Sequence, residues 1–168
     1  MPLIFLDTEF TDFVDTDLIS IGLTDENGRE FYAELNDYRQ ETCNDFVRET
    51  VIPLLKQHKN HVEGNRFTVA KELRNWLMFY DDGSLNCATV CYDYSLDWYL
   101  MAHILRLLPE EDQPDFLDTR MIWGDLDQQA LDYYWAEADA FGHKQHHALY
   151  DARANKYAYK PLVRERNG

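Results

Sequence analysis

The sequence predicts an α/β fold in which one mixed sheet carries helices on both faces. Three observations lead there. The chain opens on an apolar run, Leu3-Ile4-Phe5-Leu6, that reads as a buried strand. A second branched run, Leu18-Ile19-Ser20-Ile21-Gly22-Leu23, is followed by Asn27-Gly28, a dipeptide that tolerates positive φ at both positions and marks a hairpin. From residue 44 onward, helical periodicities alternate with short apolar runs, giving the order β-β-β-α-β-α-β-α.

In chain order, residues 11–16 form a polar loop containing Asp12 and Asp15. Phe31-Tyr32-Ala33-Glu34-Leu35 is the strand returning from the hairpin, so the chain opens in an antiparallel β-meander. Residues 44–58 turn helical, with Pro53 dividing two short helices. Residues 56–65 are polar, include Gly64, and read as a loop. Val69, Leu73, Trp76, Leu77 and Tyr80 then fall on one face of a helix over 67–80. Residues 86–92 read as a further buried strand, and residues 94–108 as a helix whose inner face carries Leu96, Tyr99, Leu100, His103, Ile104 and Leu107. Asp115-Phe116-Leu117-Asp118 is a short fifth strand, and 125–140 an acidic helix. After Gly142 a His-rich turn enters a last helix that Pro161 ends. No repeat or linker divides the chain, so residues 1–168 are expected to form a single domain.

Acidic residues outnumber basic ones 31 to 16, a net charge of −15, which argues against a broad binder of duplex DNA. It leaves room for an enzyme that grips a few nucleotides at a strand end. No stretch approaches the roughly 18 apolar residues of a membrane span. The start lacks a basic region, and Asp7 interrupts the apolar run, so no secretory leader is expected. Cys43, Cys87 and Cys91 are odd in number and form no Cys-x-x-Cys pair, as suits reduced thiols in a cytoplasmic protein.

The chemistry is concentrated at the end of the first strand. Residues two apart on a strand point to one side, so Asp7 and Glu9 present two carboxylates together. Such a pair beside a hydrophobic strand repels itself and resists burial, and a hard divalent cation relieves both costs. Asp97 opens the helix that follows the 86–92 strand. His146 and Asp151 lie five apart, about 140° of rotation on a continuous helix, and converge only if His146 precedes the helix.

This ordered set resembles the DEDDh 3′→5′ exonucleases of the ribonuclease H-like superfamily. Asp7 and Glu9 match the first motif, Asp97 the second, and His146 with Asp151 the third. More narrowly, the Asp7-Thr8-Glu9-Phe10 start, the Leu18-Ile19-Ser20-Ile21-Gly22 strand and the 25–32 hairpin are similar to ribonuclease AS, an exoribonuclease family associated with 3′ adenylate-containing RNA. The resemblance implies a three-layer α/β/α ribonuclease H-like fold around a mixed five-stranded sheet. It implies 3′→5′ hydrolysis of single-stranded RNA to nucleoside 5′-monophosphates, RNA being favoured over DNA, and a homodimer. Two Mg²⁺ or Mn²⁺ ions, about 3.5–4 Å apart, would be held by Asp7, Glu9, Asp97 and Asp151, with His146 taking the proton of the attacking water.

Two departures leave alternatives open. Asp93 rivals Asp97 as a ligand, and His147 follows the motif histidine as an alternative base. Thr8, Phe10, Trp98 and Arg153 are the candidate substrate contacts. Phe10 is either a wedge against the terminal base or a strand-end core residue, and Trp98 is either a stacking ring or core. Arg153, with Lys156 and Lys160, either meets phosphates or forms a solvated face. Rival readings are an exodeoxyribonuclease, a zinc site drawing on His143, His146 and His147 with a cysteine, and a non-catalytic binding module.

Overall fold

The computed structural model describes residues 1–161. β1 (Leu3–Phe10) is central because its apolar side chains alternate to both faces: Ile4 and Leu6 enter one core, Phe5 a second. β2 (Leu18–Asp25) and β3 (Glu30–Leu35) follow as an antiparallel meander through the Asn27-Gly28 turn, where Gly28 has φ +87°. β4 (Val62–Gly64) pairs parallel with β3; β5 (Ala88–Tyr92) pairs parallel with β1, and β6 (Leu117–Met121) with β5. The sheet order is β4-β3-β2-β1-β5-β6.

α1 (Arg66–Leu77) and α2 (Ser95–Leu105) cover one face, where Leu73, Leu77, Leu100, Met101 and Ile104 pack on Ile4, Leu6, Ile21 and Leu23. α3 (Gln128–Ala140) and α4 (Ala148–Ala158) form the third layer, with Ala148 and Leu149 packed on Tyr32. Asn65 and Asp127 cap α1 and α3 by accepting the Thr68 and Ala130 amides. This is the expected three-layer arrangement opening in a meander. No helix among the described residues is long and apolar enough to cross a membrane.

The sheet has six strands rather than five. The addition, β4, lies inside the polar 56–65 stretch that reads as a loop. Three residues on an outer edge need only backbone pairing, so they leave no apolar pattern. The fifth predicted strand sits slightly later, at Leu117–Met121. Pro53 does not divide two α-helices; a π-helical turn, Val47–Val51, passes into a 3₁₀ turn, Ile52–Leu54.

α2 is also rotated from its expected face. Tyr99 and Leu107 are exposed, while Asp97, Leu100, Met101, Ile104 and Leu105 are buried. Asp97 is hydrogen-bonded to β1, which turns this side of the helix inward, and Tyr99 stacks on His103 outside.

Candidate active site

Strand period divides the end of β1 between the two layers. Asp7 and Glu9 lie on the α4 side, whereas Thr8 and Phe10 face α2 and the larger core. The β1–β2 register slips between Glu9 and Phe10, a bulge that ends regular pairing beside the carboxylates. On β2, Gly22 is paired with Asp7, and the backbone of Ala148 and Leu149 rests directly on it. That close approach seats the first turn of α4 over the strand and brings Asp151 to the same side as Asp7.

The other side chains arrive by separate routes. Asp97, in the first turn of α2, is buried; its Oδ1 accepts both the Thr8 amide (3.2 Å) and the Thr8 hydroxyl (2.6 Å). Asp93, in the bend after β5, accepts a hydrogen bond from Asn155 Nδ2 of α4 at 2.8 Å. Asp151 Oδ2 accepts the His147 amide at 3.0 Å. His146 stands outside the helix in a left-handed conformation, φ +66°, and its ring meets the Phe46 ring edge-on at 4.9 Å.

Asp7, Glu9 and Asp151 offer carboxylate oxygens within 4.8 Å of one another, and Asp7, Asp93 and Asp97 do the same, so Asp7 belongs to both groups. Asp93 and Asp97 thus stand together, not as alternatives. Burial, then repulsion from Asp97, Asp151, Glu9 and Asp93, holds the Asp7 carboxyl well above its usual range. Glu9 is raised by burial and by Asp151 and Asp97. Burial pushes Asp97 up to about 7 against the opposing Thr8 hydrogen bonds, and Asp151 up to about 7 against the His147 and His146 amides. Burial lowers His146 from its ordinary value.

These residues line a pocket of about 380 Å³ that, among the described residues, contains no Lys or Arg. Carboxylates packed so closely are a donor set that suits a hard divalent cation: several oxygens able to converge on one ion. Among the described residues, no group of three His, Cys, Asp or Glu ligand atoms draws on His143, His146 and His147. The zinc alternative therefore lacks a ligand set there.

The candidate substrate contacts separate. Phe10 lines the pocket and meets Phe13 edge-on at 5.1 Å, while also packing on the core. Thr8 also lines the pocket, with its hydroxyl committed to Asp97. Trp98 lies outside the lining, parallel to Tyr92 at 6.5 Å and packed on the core. Arg153 does not reach the pocket: its guanidinium pairs with both oxygens of Glu30, at 2.6 and 2.7 Å. This partly buried guanidinium finds its partner within the fold. Lys160 likewise pairs with Asp127.

Sequence reasoning missed the rim. Phe13, Phe46 and Tyr94 line the mouth and are about half exposed or more, with Phe13 and Tyr94 rings 6.1 Å apart. Asn44 ties the two lips together: its amide reaches Thr11 O, its Nδ2 donates to Asp12, and its Oδ1 accepts the Val47 amide. The available signal was Phe13, an aromatic ring in a loop that carries Asp12 and Asp15.

No family model matches the chain. Two curated proteins from two strains of Mycobacterium tuberculosis, each named 3′-5′ exoribonuclease, are 35% identical to it over 74 residues. The match spans 44% of this chain and 44% of each relative, less than half the length of either. Among solved structures, the nuclease domain of 3′hExo, a DEDDh family member bound to rAMP, superimposes with a TM-score of 0.57 at 14% identity, covering 92% of this chain and 88% of that one. The described residues therefore adopt the ribonuclease H-like α/β fold of a DEDDh nuclease domain.

Proposed function

We propose that the protein is a metal-dependent 3′→5′ exoribonuclease that removes nucleoside 5′-monophosphates from single-stranded RNA. One observation carries the reading: the five carboxylates of Asp7, Glu9, Asp93, Asp97 and Asp151 converge beside His146 in a pocket whose lining, among the described residues, holds no Lys or Arg. The names of the two mycobacterial relatives favour RNA over DNA.

Mg²⁺ or Mn²⁺ held by Asp7, Glu9 and Asp151 and by Asp7, Asp93 and Asp97 supplies, when bound, the positive charge that polarises water and the scissile phosphodiester. Thr8 keeps Asp97 turned to the pocket through two hydrogen bonds, and the His147 amide does the same for Asp151. His146 takes the proton of the attacking water. Its lowered pKa leaves the imidazole neutral near pH 7, with a lone pair to accept it. The bond broken is that between phosphorus and the 3′ oxygen of the preceding nucleotide, so the phosphate leaves on the released nucleoside.

Phe10, Phe13 and Tyr94 offer ring faces and edges at the mouth for the terminal base. Stacking of this kind is sequence-tolerant but gains with ring area, which supports a preference for 3′ adenylates. The pocket's size and acidity suit one nucleotide at a strand end and disfavour long duplexes.

The test is a gel time course on 5′-labelled RNA and DNA of one sequence, ending in A or C, with Mg²⁺, Mn²⁺ or EDTA. A metal-dependent ladder shrinking from the 3′ end of RNA, faster from A, is expected. Equal or faster loss of DNA moves the assignment to an exodeoxyribonuclease. No cleavage with any metal leaves a binding module.

A further inference from the structure

His147 is buried at 2% exposure, yet neither ring nitrogen meets a hydrogen-bonding partner among the described residues. Its ring stacks on Tyr32 of β3 (4.4 Å, 27°) and on Tyr150 of α4 (4.0 Å, 19°), and Tyr150 in turn stacks on His143 (4.2 Å, 21°). The result is a column of four rings between the sheet and the 143–147 turn. An imidazole buried without partners forfeits its hydration and gains no hydrogen bond in return.

The backbone of the same residue is fully used. Its amide donates to Asp151 Oδ2 at 3.0 Å, and its carbonyl accepts the amides of Tyr150 (2.7 Å) and Asp151 (3.0 Å). Immediately before it, His146 takes the left-handed φ that turns its ring out of the helix toward the pocket. One peptide thus presents the base on one side and holds a carboxylate on the other.

We propose that His147 is a positioning residue: its stacked ring anchors the peptide that aims both His146 and Asp151 at the pocket, and it acts by shape rather than through its ring nitrogens. This rests on the nuclease reading of that pocket. It also gives the two neighbouring histidines separate parts, proton transfer for the first and geometry for the second.

The test compares His147→Ala, His147→Phe and His147→Gln in the full chain. Readouts are kcat and KM on a short single-stranded RNA, the pH profile of kcat/KM, and Mn²⁺ affinity by calorimetry. The alanine variant should keep KM but lose about 30–100-fold in kcat, since small misplacement of a catalytic group costs that much. It should bind Mn²⁺ about tenfold more weakly. The phenylalanine variant, which restores the stack without nitrogens, should return to within about threefold of wild type with the same pH limbs, while glutamine stays slow.

Alanine at wild-type kcat and Mn²⁺ affinity overturns the proposal, as does glutamine active where folded phenylalanine is not. Should the alanine variant not fold, the phenylalanine and glutamine pair decides alone. Absence of metal-dependent hydrolysis in the wild type sinks the nuclease reading instead, and the order of Mn²⁺ affinities still tests the anchoring.

Discussion

A β-carbon on Gly22 would collide with the amide nitrogen of Leu149. Gly22 is the ladder partner of Asp7, so the point where α4 presses on the sheet lies beside the carboxylate shared by both ligand groups. Gly22→Ala must therefore push α4 away and carry Asp151 with it. The expected cost is about 1–3 kcal/mol in urea denaturation, as for overpacked cores, with RNA hydrolysis lost more steeply than stability. Wild-type turnover in a folded Gly22→Ala protein would show that α4 can shift without disturbing the site.

Thr8 governs Asp97 more than substrate. Thr8→Val keeps the side-chain shape and the amide hydrogen bond but removes the hydroxyl donor at 2.6 Å. That donor opposes the upward push on the Asp97 pKa, so the carboxyl should move further up and hold a cation less readily. Calorimetric titration should find Mn²⁺ affinity about tenfold weaker, with little change in thermal stability. Equal affinity would assign Thr8 a purely structural part.

Metal and pH are linked through the carboxylates. Asp97 and Asp151 keep their protons up to about pH 7 in the folded chain and lose them in the ordinary carboxylate range once unfolded. Between those limits the folded state binds more protons than the unfolded one, so stability falls as pH rises. His147 acts oppositely: lowered from 6.5 to about 4, it favours the folded state as pH climbs between those values. Above about pH 6.5 only the carboxylate effect is left. The Tm of EDTA-treated protein should fall from there to about pH 8, and Mg²⁺ should raise it most at the upper end. Parallel profiles with and without Mg²⁺ would contradict this.

Arg153 makes the converse prediction. Its pairing with Glu30 is bidentate and partly buried, with side-chain exposures of 24% and 29%. Arg153→Met should cost about 1 kcal/mol in stability and leave KM for RNA unchanged. A KM several-fold higher at unaltered stability would return this residue to the substrate path.

How much was legible follows from the range over which each feature is determined. Asp7 with Glu9 follows from a two-residue period, and His146 with Asp151 from a turn entering a helix, so sequence reading could propose that these side chains converge. The meander was legible through Asn27-Gly28. β4 was not, because three edge residues pair through backbone alone. The inward face of α2 was misjudged because Asp97 is buried by its bond to Thr8, 89 positions away. The pairing of Arg153 was illegible for the same reason: Glu30 lies 123 positions away. The aromatic rim depends on loop shape held by Asn44, which no periodicity encodes.

The order of synthesis adds one more consequence. Asp7 and Glu9 are synthesised well before the Asp151 that completes their group, which sits on a helix that must dock against Gly22. A nascent chain therefore holds an unfinished site until α4 has emerged. On the proposed function, hydrolysis awaits the docking of α4 against β2.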